Sequence, residues 1–282
     1  RLGPLAAAAA LLAAVGAGGV RLGRSHPHKH DKHESSHHHE HHEARGEEDR
    51  QAARPNAAGT AKGGCIAPQP GDKVVYLVRH LVQDLKLGHD PPLVESMRAA
   101  AWWLRTSPKL VPAVAGDERH RAQLVLMSPF TRTMETALLG FGGLFLSEQF
   151  LINPDLMEYQ VSDVAQQKNG EAMLNRLNAT DILQKYHQLP EGWTGSAGDH
   201  VERWKNFEDF LRRRPEERFI VVSHHWMMKR AGQSLHYGEV GISAFTPQGE
   251  WKVLSEPSCW PDFKEDYKRI MDAREREWHA SH

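Results

Sequence analysis

The chain has 282 residues, with 35 Lys and Arg against 36 Asp and Glu, a formal net charge of −1. So even a balance gives no general attraction to nucleic acid or to an anionic membrane, and any anionic ligand has to be met by a local cluster. Two cysteines, Cys65 and Cys259, exclude a disulfide-rich scaffold and a four-cysteine zinc site, and leave open whether they pair.

Residues 2–20 are uncharged and mostly apolar, follow Arg1, and end in Val15-Gly16-Ala17-Gly18-Gly19. That is the composition of a secretory signal's core and cleavage region. Ala and Gly dominate, with Leu only at 2, 5, 11 and 12, so insertion into a bilayer would be marginal. Membrane contact is expected only if this leader stays as an uncleaved anchor. The expected location is the secretory pathway or a membrane if residues 1–20 are a targeting segment, and the cytoplasm if they are an Ala-rich leader without that role. Residues 21–71 read as a disordered linker, because nothing in them could bury enough apolar surface to offset the entropy of folding. Nine imidazoles lie between Ser25 and Glu43. They either bind zinc, copper or nickel loosely or are compositional drift.

From residue 72 to 282 the pattern changes to short β-rich runs alternating with helical stretches. Strands are expected at Lys73–Val78, Leu124–Met127 and Arg218–Ser223, with an antiparallel pair at Gly241–Phe245 and Trp251–Leu254. Helices are expected over Leu93–Arg105, with one of Trp102 and Trp103 in the core, from about Thr131, over Gly170–Leu189, over Asp199–Arg214 as far as Pro215, and over Met227–Leu235. A last helix, Asp262–Trp278, carries Phe263, Tyr267, Ile270 and Met271 on one stripe and should dock on the domain. Such alternation predicts an α/β fold, a three-layer sandwich whose mainly parallel sheet has helices on both faces.

In such sheets ligands bind beyond the carboxyl ends of the strands. The first strand ends in Arg79-His80, the second in Ser128-Pro129-Phe130-Thr131-Arg132-Thr133, the third in Ser223-His224-His225. Two arginines and two histidines gathered at one edge suit a phosphoryl group, whose oxygens a guanidinium fork meets bidentately. Arg132 should lie in a first helical turn, where free backbone N–H groups also favour an anion. Neighbouring cations should keep His80 neutral, the form that attacks phosphorus. Neither a Walker loop nor a carboxylate cluster suited to magnesium is evident, so no metal or other cofactor is expected. A carboxylic acid is still needed to protonate the leaving oxygen. Glu158, after a short strand, is the candidate, with Asp155 and Asp163 as competitors.

These pieces, LVRH at 77–80, SPFTRTMETA at 128–137, the Glu158 segment and VVSH at 221–224, stand in the order found in the histidine phosphatase superfamily. The chain resembles its phosphoglycerate mutase-like branch. DPPL at 90–93 and the helix carrying Arg203 and Phe207 match less specifically, and together the resemblance spans residues 73–255. SPFTRTMETA is similar to the family's S-P-x-x-R-x-x-x-T-A signature. The resemblance implies His80 as nucleophile, Arg79, Arg132 and His224 as the phosphate clamp, and Glu158 as proton donor. The implied partner is a phosphorylated small molecule or a phosphoprotein, not a nucleic acid. The chain departs from the family pattern at Leu81, where Gly is usual, and at Val82, Lys86, Val94, Met97 and His225. Three activities stay open: a metal-independent phosphomonoesterase, a mutase, and a catalytically silent phosphate-binding scaffold.

Overall fold

The computed structural model describes residues 64–84, 86, 90–158, 164–190, 193 and 200–281. The apolar leader, the His-rich tract and Asp163 lie outside the described residues. Six strands form one sheet in the order β3-β2-β4-β1-β5-β6: β1 (Lys73–Arg79), β2 (Leu124–Met127), β3 (Phe150–Ile152), β4 (Arg218–Ser223), β5 (Val240–Phe245) and β6 (Trp251–Val253). The first four are mutually parallel, and β5 and β6 run antiparallel at one side.

Both faces of the sheet are covered, which is why its strands read as continuous apolar runs rather than alternating ones. Val74, Tyr76, Val78, Val125, Met127, Ile220 and Val222 pack in one cluster with residues of α2 (Val111–Ala115), α3 (Thr131–Phe141), α4 (Val164–Arg176), α5 (Thr180–His187) and α8 (Lys264–Ser281). Their neighbours in the strands, Val75, Leu77, Leu124, Leu126, Phe219 and Val221, pack on the other side against Trp204, Phe207 and Leu211 of α6 (His200–Arg213) and Met227 and Met228 of α7 (His225–Arg230). The result is the expected three-layer α/β sandwich. Tyr267, Ile270 and Met271 of α8 pack on the first cluster, which also buries Phe263, so the apolar stripe of this helix does dock on the domain.

Four boundaries differ from the sequence reading, each for a local reason. The helix expected over Leu93–Arg105 is α1 (Glu95–Ala100) followed by a 3₁₀ segment, Ala101–Thr106. In a 3₁₀ helix side chains three apart eclipse, so Ala101 and Leu104 point inward together while Trp102 and Trp103 are both left exposed, neither in the core. The stretch Gly170–Leu189 is two helices, α4 and α5, separated at Asn178, whose φ of 53° ends α4 in the left-handed region that asparagine tolerates. α7 begins at His225 and is stopped near Gly232, with φ 79°.

The fourth difference concerns the amino-terminal edge. The packed chain begins ahead of the expected boundary at residue 72, because Cys65 is joined to Cys259. Beside it Ile66 donates its N–H to Ser255 Oγ at 2.6 Å, and its carbonyl accepts from Ser255 Oγ and Trp260 Nε1. Nothing in the apolar pattern announced this, since the anchoring is by backbone and sulfur. Among the described residues no helix is long and apolar enough to cross a membrane.

The disulfide closes a loop of 194 residues. Loss of a cross-link spanning so long a segment typically lowers stability by about 2–4 kcal/mol, chiefly by freeing the unfolded chain. Chemical denaturation of the Cys65→Ser variant should therefore show a lower midpoint than wild type. A reductant should lower the wild-type midpoint and leave that of the variant alone. Identical midpoints for wild type with and without reductant would contradict the linkage.

Candidate active site

The pairing register brings the reactive residues abreast. Arg79 of β1 pairs with Ser223 of β4, and Met127 of β2 with Val222. One residue on, the His80 N–H donates to the Ser223 carbonyl at 3.1 Å and the Ser128 N–H to the Val222 carbonyl at 3.2 Å. His80, Ser128 and His224 thus sit side by side beyond the strand ends, and α3, starting three residues after Ser128, adds Arg132.

At the floor lies Arg132, 1 % exposed. Its Nε donates to His80 Nε2 at 3.3 Å, its Nη1 to Asp90 Oδ1 at 3.2 Å, and its Nη2 faces His224 Nδ1 at 3.3 Å. These contacts fix both imidazoles. His80 Nδ1 lies 2.8 Å from the Leu81 carbonyl, an acceptor only, so it carries the proton and Nε2 keeps its lone pair toward Arg132. For His224 the Arg132 donor claims Nδ1, and Nε2–H is left to donate to Ser128 Oγ at 3.1 Å. Burial, reinforced by Arg132, pushes His80 down to about 3 and His224 well below the usual histidine value. Desolvation is the larger cause in both, ahead of the neighbouring cations that the sequence suggested.

Glu158 closes one side, with Oε2 3.8 Å from His224 Nδ1 and 4.0 Å from Arg132 Nη2, and Oε1 accepting from the Trp226 N–H at 3.4 Å. Of the competitors, Asp155 lines a separate depression with Asn206, Asp209 and Arg213, where burial pushes its pKa up. Asp163 lies outside the described residues. Arg79 donates Nη1 to the Leu235 carbonyl at 3.0 Å, and its guanidinium lies 3.9 Å over the Tyr237 ring. Its Nε is buried and finds no acceptor among the described residues, a donor suited to an anion. All five residues singled out from the sequence, Arg79, His80, Arg132, Glu158 and His224, are therefore gathered in one place.

Asp90 and Tyr237 are site residues that sequence reasoning did not assign. Asp90 is buried, with φ 49°, and its carboxylate accepts from the Thr131 N–H at 2.9 and 3.0 Å, from Thr131 Oγ1 at 2.7 Å, and from Arg132. The Thr131 N–H at the amino end of α3 is thus taken by the protein's own carboxylate rather than left free for a ligand. Burial raises Asp90 to about 6 against the hydrogen bonds and the Arg132 charge, which lower it. Asp90 was visible only as part of DPPL; Tyr237 had no signal in the sequence at all.

Behind the site, the buried Glu135 carboxylate accepts from the Leu93 N–H at 2.8 Å, Arg98 Nε at 2.8 Å and Arg176 Nη2 at 2.6 Å, tying the Asp90–Leu93 segment to α3. Leu81 is buried with Leu93 and Ala101 rather than placed over the floor. Gly238 makes room for it: with φ 73° it takes a conformation glycine alone adopts easily, and a Cβ there would meet Leu81 Cδ2 at 2.8 Å. His225 Nδ1 is held by the Leu235 carbonyl at 3.2 Å.

These shifts make stability depend on pH in a definite direction. Below about pH 6.5 the unfolded chain protonates His80 and His224, while the native site holds them neutral, so they withdraw stability as pH falls. Asp90 acts oppositely, gaining a proton in the native state near 6 and in the unfolded state near 3.8, and so adds stability as pH falls through 6. Two histidines outweigh one carboxylate. The urea midpoint should be lower at about pH 5.5 than at pH 7.5, and His80→Asn should shrink that difference by about 1 kcal/mol. An undiminished difference in the variant would mean that native His80 is already protonated.

No family model matches the chain, and no curated protein does. Solved structures resemble it at low identity. A putative alpha-ribazole-5'-P phosphatase from Escherichia coli is 17 % identical with a TM-score of 0.41, the match covering 65 % of this chain and 96 % of that one. The ecdysone phosphate phosphatase from Bombix mori, solved with tungstate, is 14 % identical with a TM-score of 0.42, over 65 % of this chain and 92 % of that one. The protein histidine phosphatase SixA complexed with tungstate is 13 % identical with a TM-score of 0.39, over 64 % and 94 %.

Proposed function

We propose that this chain is a phosphomonoesterase of the histidine phosphatase type, acting on a phosphorylated small molecule or phosphoprotein through a phosphohistidine at His80. The observation that carries the reading is the bare Nε2 of His80 facing the buried Arg132 guanidinium, with Glu158 Oε2 4.0 Å from that same guanidinium. A neutral imidazole aimed at a sealed cation is a nucleophile placed where a phosphoryl group would be held.

In the first step the Nε2 lone pair of His80 bonds to phosphorus as the P–O bond to the alcohol breaks, and the departing oxygen takes a proton from Glu158. In the second, the Glu158 carboxylate takes a proton from water, whose oxygen bonds to phosphorus while the N–P bond breaks. Inorganic phosphate leaves and His80 returns to its starting form. Arg79 and Arg132 neutralise the equatorial oxygens throughout. His224, held through Ser128, faces the same oxygens, and an arriving dianion opposes the desolvation and the Arg132 charge that keep it neutral. A silent scaffold would need Leu81 or His225 to obstruct the floor, and both are engaged elsewhere. A mutase would use the same first step and return the phosphoryl group to an acceptor.

Brief exposure to a ³²P-labelled phosphomonoester followed by quenching should leave an acid-labile, base-stable phosphoenzyme in wild type and none in His80→Ala. That variant should lose turnover by more than about a hundredfold, the scale of removing a nucleophile. Retention of label or of turnover in His80→Ala would sink the assignment. Decay of the phosphoenzyme in buffer alone supports the phosphatase, whereas decay only on adding an acceptor supports the mutase.

Glu158→Gln bears on the proton. An alkoxide is a very poor leaving group without protonation and p-nitrophenolate is a good one. The variant should therefore lose at least about tenfold more rate with an alkyl phosphate than with p-nitrophenyl phosphate. Equal losses on both substrates would move the proton donor elsewhere.

A further inference from the structure

The floor of the site is buried and charged, while apolar side chains next to it in the chain or in space are exposed. Val82, Trp226 and Tyr237 are all exposed large apolar side chains. Val82 is two residues past His80, and Trp226 two past His224. Tyr237, 45 % exposed, has its ring 5.3 Å from that of His80, with the Arg79 guanidinium 3.9 Å over it. The Trp226 backbone N–H donates to Glu158 Oε1, which fixes this residue beside the proton donor, and its indole is 54 % exposed. A single exposed apolar side chain is ordinary on a protein surface; two exposed aromatic rings, one against His80 and the other fixed beside Glu158, belong to one pocket.

The direction of the displacement says what lies among them. His80 is 3 % exposed and attacks from the buried side, so the leaving oxygen departs on the opposite side, toward the opening. The carbon skeleton bonded to that oxygen then lies at the mouth, where the described residues offer the Tyr237 and Trp226 rings, with Arg79 over the one and Lys229 Nζ 4.5 Å over the other. The Arg79 guanidinium stacked on Tyr237 restrains the ring, so less side-chain entropy is lost when a ligand packs on what remains exposed. We propose that the mouth is a leaving-group subsite for a flat apolar alcohol, and that the substrates are arylmethyl or aryl phosphomonoesters. This inference rests on the phosphomonoesterase reading above.

The test compares 2-naphthylmethyl phosphate with ethyl phosphate. Both are esters of primary alcohols, so both leaving groups need protonation and the comparison isolates the ring. Wild type should favour the naphthylmethyl ester in kcat/KM by about tenfold, the size of one or two aromatic contacts, chiefly through KM. Tyr237→Ala should bring the ratio near one, Trp226→Ala should reduce it, and Tyr237→Phe, which keeps the ring, should preserve it. Should Tyr237→Ala fail to fold, the other two variants decide. Equal kcat/KM for the two esters in wild type, or a ratio that neither alanine variant changes, overturns the subsite. If wild type hydrolyses neither ester, the hydrolase reading fails separately. The subsite is then judged by calorimetric titration with 2-naphthylmethylphosphonate against methylphosphonate. Tighter binding of the aromatic ligand, lost in Tyr237→Ala, supports it, and equal affinity overturns it.

Discussion

Arg132 is a full positive charge sealed inside the protein, and most of the site is the means of keeping it there. A buried guanidinium is costly unless its N–H groups are met and its charge is answered. Asp90 answers the charge, His80 Nε2 meets Nε, and His224 Nδ1 faces Nη2. Each partner is itself held: Asp90 by Thr131, His80 by the Leu81 carbonyl, His224 by Ser128. The two imidazoles are forced into defined tautomers because a guanidinium can only donate. A neutral imidazole with its lone pair pointing at a cation is therefore a consequence of burying Arg132, not a separate arrangement added to it.

That dependence explains why α3 is nearly all buried and why its supports are polar. An ordinary helix would be capped by a side chain at its own start, but Phe130 in the N-cap position offers none. Asp90, forty-one residues earlier in the chain, supplies the acceptor instead. The segment bearing Asp90 is in turn pinned to α3 by Glu135 through Leu93, so the helix fixes the loop and the loop caps the helix. Leu81, Leu93 and Ala101 fill the space beside this closed circuit. Leu81 is thus part of the packing behind the site, and the space it needs is provided by Gly238.

How far the sequence could be read follows from the same physics. The layered fold was legible because strands covered on both faces must be apolar throughout, and β1, β2 and β4 are. Arg79, His80, Arg132 and His224 were legible because each directly ends a parallel strand or opens the helix after one, where topology alone gathers side chains. Glu158 depended on the need for an acid and on resemblance, and the structure places it beside His224. Asp90 was not legible as a site residue: its role depends on a left-handed backbone and a contact across the chain, neither of which has a local pattern. Tyr237 comes from a loop and meets His80 only through tertiary packing. Cys65 was hidden for another reason, since a chain anchored by a disulfide and backbone hydrogen bonds needs no apolar periodicity.

The charges at the floor also bear on how a phosphoryl group would be accommodated. Arg79 and Arg132 contribute two positive charges, Asp90 and Glu158 two negative ones, and the histidines none, so the pocket is close to electroneutral before any ligand arrives. A phosphate dianion would bring in two uncompensated charges at low dielectric, where they are costly. Protons taken up by the pocket are the readiest compensation. His224 Nδ1 lies 3.8 Å from Glu158 Oε2 and faces Arg132 Nη2, so a charge brought in beside it is felt by all three groups. His80 keeps its Nδ1 proton committed to the Leu81 carbonyl, which leaves Nε2 as its lone-pair nitrogen. The same pairing of cations with carboxylates that lets the free protein bury Arg132 thus limits how much further negative charge the pocket can hold without taking up protons.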